Sequence, residues 1–208
     1  MSHLVLIGDS VFDNAAYVPI GTDVEHCLRG LLPSSQLCLL AQDGSTTLDL
    51  KEQLDRVPRD ATHLIISVGG NDALEHVELL ATPVGSTTEA FVMLFDAVAR
   101  FETNYRRAVG EARGVGKQLI VCTIYSGDFA ELIDRKAVAI ALAAFNDAII
   151  RTAVDLEVQV LDLRAVCSES IDFSNKIEPS VIGGKKVAEA IVRAVSDSGP
   201  IFKGCFLT

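Results

Sequence analysis

The chain has 208 residues, 49% of them hydrophobic, and a net charge of −10 from 28 acidic against 18 basic side chains. That length and apolar content suffice for one large domain with its own core, so no disulfide staple is needed. The acidity argues against nucleic acid and anionic membrane surfaces as partners and leaves small neutral molecules as the expected ones.

The first stretch, His3–Ile7, is an apolar run of strand formers that ends in Gly8-Asp9-Ser10. A loop with Pro19 and Gly21 leads to a helical segment from Asp23, its N-cap, to Leu32, with Pro33 marking the exit. Gln36–Ala41 reads as a second strand ending in Gln42-Asp43-Gly44-Ser45, and a helix pattern runs from Thr46 to about Arg56. A third strand, His63–Val68, runs into Gly69-Gly70-Asn71-Asp72, with short helical material after it to Leu80. The long helix from Thr87 to Ala112 carries Phe91, Leu94, Phe95, Val98 and Phe101 at helical spacing, which makes them expected core positions. Gln118–Thr123 is the fourth strand, followed by Tyr125-Ser126-Gly127-Asp128. Arg135–Val154 reads as a helix with an alanine-rich packing face, and Val158–Leu161 is a fifth strand ending at Asp162. An irregular stretch reaches Pro179, a last helix covers Val181–Val195, and Gly199–Thr208 is an added tail.

Strands that alternate with helices predict a parallel sheet covered on both faces, a three-layer α/β/α sandwich. Right-handed crossovers put every strand's carboxyl end on one edge, and that edge is where such sheets bind ligands. With no repeat and no shift in composition, residues 1–208 are expected to be a single domain. Cys27, Cys38, Cys122, Cys167 and Cys205 form no CxxC pair, so neither a disulfide framework nor a zinc site is expected. No HExxH, P-loop or GxGxxG is present, so no metal or nucleotide cofactor is expected. The first residues lack the features of a signal peptide, and the longest apolar stretch, Ala137–Phe145, is too short to span a bilayer. A cytoplasmic location is the expectation.

Three strand ends carry small, polar, backbone-exposing residues: Gly8-Asp9-Ser10, Asp43-Gly44 and Gly69-Gly70-Asn71-Asp72. Acyl transfer through a serine needs a nucleophile and hydrogen-bond donors aimed at the nascent oxyanion. Ser10 at a strand end gains backbone N–H groups and the positive end of any following helix. Its N–H, the Gly44 N–H and the neutral Asn71 amide would make a three-donor hole. Each residue also has a plain role: Ser10 as a cap, Gly44 as a turn glycine, Asn71 or Asp72 as a helix cap. Asp9, Asp13, Gly70 and Asp72 are the neighbouring candidates for substrate contact, with capping open for Asp13 and Asn14. Asp128 and Asp162 lie beyond later strands, and Arg164 has Asp162 or Glu178 as possible partners.

With Gly8-Asp9-Ser10, Gly44, Gly69-Gly70-Asn71-Asp72 and Glu178-Pro179-Ser180…Gly183 in order, the chain resembles the SGNH/GDSL hydrolase family over almost its whole length. The resemblance implies a flavodoxin-like five-stranded sheet in the order 2-1-3-4-5 and hydrolysis, or acyl transfer, on small carboxylic esters. It also implies Ser10 as nucleophile, with Gly44 and Asn71 completing the oxyanion hole.

The family's last block reads D-x-x-H-P, its aspartate orienting the histidine that takes the serine's proton. Here Glu178 fills the histidine slot and Asn175 the aspartate slot. Both changes are coherent, because an orienting carboxylate would repel a glutamate. Three readings stand open. Glu178 is itself the base, which requires burial to raise its ordinary pKa of about 4.3. Alternatively His76, shortly after Asn71, takes the role; His3 and His63 begin strands at the wrong end, and His26 sits in a distant helix. In the third reading the pocket persists as a ligand-binding site and the hydrolytic step is lost. A register with Asp172 and Asn175 as D-x-x-N keeps an acid but supplies no imidazole.

Overall fold

The computed structural model describes residues 2–129 and 132–196. Five strands form an all-parallel sheet: β1 (His3–Gly8), β2 (Gln36–Leu39), β3 (His63–Ser67), β4 (Gln118–Cys122) and β5 (Gln159–Leu161). Their order is β2-β1-β3-β4-β5, the doubly wound order expected. Gly8 stands opposite Ser67, so β1 and β3 end level with one another. The runs Leu4–Ile7 and Leu64–Ile66 are wholly buried, as strands covered on both faces must be.

Among the described residues seven helices complete the layers: α1 (Val24–Leu31), α2 (Leu50–Leu54), α3 (Gly70–Leu74), α4 (Thr87–Gly114), α5 (Leu132–Asp155), α6 (Leu163–Val166) and α7 (Val181–Ser196). Side-chain caps set two starts: Asp23 accepts from the His26 N–H before α1, and Ser86 accepts from the Glu89 N–H before α4. Alternate strand residues feed two cores. Val5, Ile7, Leu64 and Ile66 meet Phe101 and Tyr105 of α4 and Phe145 and Ile149 of α5. Leu4, Leu6, Ile65 and Ile120 meet Val24 and Leu28 of α1 and Val187 and Ile191 of α7.

Several expectations are corrected. Phe91 and Phe95 are 61% and 70% exposed, because the buried positions of α4 begin only at Ala97. The helix pattern from Thr46 condenses to α2 alone. Asp49 accepts from both the N–H and the hydroxyl of Thr46, and such side-chain bonds compete with helix formation. The stretch before Pro179 is not wholly irregular, since it holds α6 and a 3₁₀ turn at Ser170–Asp172. Within Asp134–Asp155 of α5 an 18-residue window has a mean hydropathy of 1.6, so by length and composition this helix could cross a membrane, which the short run Ala137–Phe145 concealed. Phe145, Ala148, Ile149 and Ala153 of that helix are buried in the sheet-facing core. The tail Gly199–Thr208 lies outside the described residues.

Candidate active site

Ser10 stands just beyond β1, 8% exposed. The strand end is gripped by Gln53 of α2: Oε1 accepts from the Gly8 N–H at 2.7 Å, and Nε2 donates to the Gly8 carbonyl at 2.9 Å. Gly8 has φ 128°, and an added Cβ would collide with the Ser67 carbonyl, so only glycine fits. Past Ser10 the chain makes no α-helix until Val24. The expected helix dipole at Ser10 is therefore replaced by a tight turn, in which Asp9 Oδ1 accepts from the Val11 N–H and the Asp9 carbonyl from Phe12 and Asp13.

Ser10 Oγ donates to Glu178 Oε1 at 3.0 Å, joining residues 168 positions apart. Glu178 is 4% exposed, and burial raises its pKa, an effect the Ser10 hydrogen bond partly offsets and the Asp43 charge reinforces. Among the described residues no donor meets its other oxygen. Asn175, in the slot where the family keeps an aspartate, leaves the carboxylate alone. Its Oδ1 accepts from the Ile177 and Glu178 N–H groups, both at 2.9 Å, and so shapes the loop that presents Glu178. Tyr125 Oη donates to the Ile177 carbonyl and Asn14 Nδ2 to the Pro179 carbonyl, fastening that loop to the sheet edge and to the turn after Ser10.

Arg164 pairs with Asp162 through two bonds of 2.7 Å, so its charge is engaged away from Glu178. Asp128 accepts from Ser170 Oγ, and Asp172 pairs with Lys186. His76 lines the same pocket as Ser10, and among the described residues no hydrogen bond joins the two. His3 pairs with Asp60 and His63 with Thr62, both at strand beginnings on the opposite edge, while His26 lies in α1.

Two loops bring the candidate donors together. Asn71 Nδ2 donates to the Ser45 carbonyl at 2.9 Å, which sets its amide beside the Gly44–Ser45 turn and leaves a second N–H. Gly44 is exposed with φ 80°, and among the described residues neither its N–H nor that of Ser10 has a hydrogen-bond partner. Of the four substrate-contact candidates, Asp9 and Gly70 line the pocket. The other two are corrected to bracing roles: Asp13 accepts from the Asp43 N–H, and buried Asp72 accepts from the N–H and hydroxyl of Thr47. Both carboxylates hold the loop around Gly44, Asp13 through Oδ2 and Asp72 through both oxygens.

Asp9 is 4% exposed, and burial pushes its pKa up to about 8, with the Val11 N–H opposing and the charges of Glu178 and Asp72 adding to the rise. Among the described residues no group of His, Cys, Asp and Glu is arranged to hold a metal ion. Gln53 and Asn146 were missed by sequence reasoning. Asn146 of α5 clamps both backbone groups of Ile124 beyond β4, as Gln53 clamps Gly8 beyond β1.

Ser10 after β1 and Asn71 after β3 line one pocket, and the Asn71 amide reaches the Gly44–Ser45 turn. A model of the GDSL-like lipase/acylhydrolase family matches residues 6–179. The chain belongs to that family. Membership supports carboxylic ester hydrolysis as the general activity of this GDSL-like hydrolase. No curated protein matches its sequence. Among solved structures, a G-D-S-L family lipolytic protein from Veillonella parvula superposes with a TM-score of 0.72 at 14% identity, covering 95% of this chain and 100% of that one. Phospholipase A1 from Streptomyces albidoflavus gives 0.70 at 14% identity over 92% and 98% of the two chains. An acetylxylan esterase from Geobacillus stearothermophilus gives 0.65 at 20% identity over 93% and 94%. These likenesses establish the shared α/β/α fold.

Proposed function

We propose that this GDSL-like hydrolase cleaves carboxylic esters with Ser10 as nucleophile and Glu178, in place of histidine, as general base. The observation that carries this reading is the 3.0 Å bond from Ser10 Oγ to a carboxylate that burial makes more basic than usual. As Oγ attacks the ester carbonyl, its proton passes to Glu178 Oε1. The carbonyl oxygen gathers negative charge against the N–H groups of Ser10 and Gly44 and the Asn71 amide, each such donor being worth roughly 10²–10³ in rate. Glu178 then returns the proton to the departing alkoxide, takes a proton from the water that attacks the acyl-enzyme, and passes it to Ser10 Oγ as the acid leaves.

The neighbouring acid fits this division. Burial pushes the Asp9 pKa up to about 8, so below that pH this second carboxyl stays mostly neutral and adds little negative charge to oppose the oxyanion. The test is hydrolysis of p-nitrophenyl esters by three variants. Ser10→Ala abolishes turnover, Glu178→Gln lowers kcat/KM by roughly 10²–10⁴, and His76→Ala changes it less than about ten-fold. The reverse ranking of Glu178 and His76 would hand the base role to the histidine.

A further inference from the structure

The Gly44 N–H can serve an oxyanion only if its direction and its place are both held, and two different features hold them. Direction comes from the turn Gln42–Ser45, closed by the Ser45 N–H donating to the Gln42 carbonyl at 3.1 Å. Gly44 is the third residue of that turn with φ 80°, while Asp43 before it has no positive φ, which makes the turn type II. A type I turn has the same ends, but its central peptide is rotated by about 180°, so the Gly44 N–H would point to the other side. An added Cβ at Gly44 meets no atom within 4 Å, so the glycine answers to backbone conformation and not to crowding.

Place comes from side chains on both flanks of the turn. After Gly44, Asn71 Nδ2 donates to the Ser45 carbonyl at 2.9 Å and Gln53 Nε2 to Ser45 Oγ at 3.1 Å. Before Gly44 the grip is on Asp43, and it comes from the segment that follows the nucleophile. Asp13 Oδ2 accepts from the Asp43 N–H at 2.9 Å, and Tyr17 Oη donates to Asp43 Oδ2 at 2.6 Å. Asp13 is itself fixed to the turn of Ser10, because its N–H donates to the Asp9 carbonyl at 3.2 Å. A short path of hydrogen bonds, Asp9 to Asp13 to Asp43, thus runs from the neighbour of the nucleophile to the neighbour of the donor.

We infer that Asp13 is a positioning residue for ester hydrolysis, its carboxylate setting the spacing between Ser10 and the Gly44 N–H. The inference rests on the reading of Ser10 as nucleophile and Gly44 as oxyanion donor. A misplacement of about 1 Å can cost as much as 10²-fold in rate, so slack in this path shows in turnover. It shows in kcat more than in KM, because the charge that the donor meets develops only on the way to the transition state. Asp13 is half-buried and Asp43 exposed, so the fold itself loses little when their bond is removed.

The test is steady-state hydrolysis of p-nitrophenyl acetate by Asp13→Ala, Asp13→Asn, Gly44→Ala and the double variant Asp13→Ala with Gly44→Ala. Asp13→Ala lowers kcat about ten-fold or more and changes KM less than about two-fold. Asp13→Asn, whose amide oxygen still accepts from the Asp43 N–H, recovers most of that loss. Gly44→Ala, which favours the type I turn, lowers kcat by roughly 10²–10³. In that background Asp13→Ala costs less than about two-fold, since the donor it places has already turned away. The same loss with and without Gly44 marks a general structural role and overturns the inference. Equal losses in Asp13→Asn and Asp13→Ala assign the effect to charge beside the substrate and also overturn it. So does wild-type kcat in Asp13→Ala, and each of these results leaves hydrolysis by Ser10 standing. The contrast between alanine and asparagine at position 13 decides the matter even if the Gly44 variants do not fold. No turnover of the ester by the wild-type protein overturns both the inference and the reading beneath it.

Discussion

Two carboxyl groups border Ser10, and their surroundings give them opposite duties. Glu178 accepts the serine's hydrogen bond, whereas Asp9, buried and with no cation beside it among the described residues, has its pKa pushed up to about 8. Ionisation of Asp9 puts a second negative charge beside the reacting carbonyl. The pH profile of kcat/KM should therefore rise as Glu178 loses its proton, above the usual carboxylate range, and fall above about pH 8. Asp9→Asn, which mimics the neutral acid, should remove the alkaline limb; an unchanged limb in that variant contradicts the assignment. Stability follows the same group. Between about pH 4 and 8 the unfolded chain releases the Asp9 proton while the folded protein keeps it, so this residue lowers stability as pH rises. The gain in Tm of Asp9→Asn over wild type should grow across that window in thermal melts.

At the scale of elements, the strand ends are held by long-range amide clamps. Gln53→Leu leaves the Gly8 N–H buried without its partner, while the Gly8 carbonyl keeps only the Gln42 N–H. The expected loss is about 1–3 kcal/mol in urea unfolding, together with a fall in kcat/KM as Ser10 loses its mounting. Such clamps were not legible in the sequence. Gln53 acts on a backbone 45 positions away, and no local period or spacing announces that. The elements themselves were legible, because buried parallel strands and capped helices write their pattern into neighbouring residues. The Gly69–Asp72 run and the Glu178–Pro179 block marked two sides of the pocket for the same reason. Asp13 and Asp72 resembled pocket residues because they sit close to pocket residues, and only the folded loops reveal that they brace Asp43 and Thr47.

Across the whole molecule, helical spacing told which face of α4 is apolar but not which part of that face meets the sheet. Phe101→Ala, in the core, should cost about 3–5 kcal/mol, whereas Phe91→Ser with Phe95→Ser should change unfolding free energy by less than about 1 kcal/mol. Equal losses in the two would contradict the packing of α4. The same long-range assembly creates the proposed reactive pair, since Ser10 and Glu178 lie 168 positions apart and meet only when the first strand and the last loop are both in place. The rate of covalent labelling of Ser10 by a serine-directed phosphonate, followed against pH, tests that pairing most directly. Labelling should be slow in acid, rise as Glu178 ionises, and lose both the rise and most of its speed in Glu178→Gln. A labelling rate and pH profile unchanged by that substitution would contradict it.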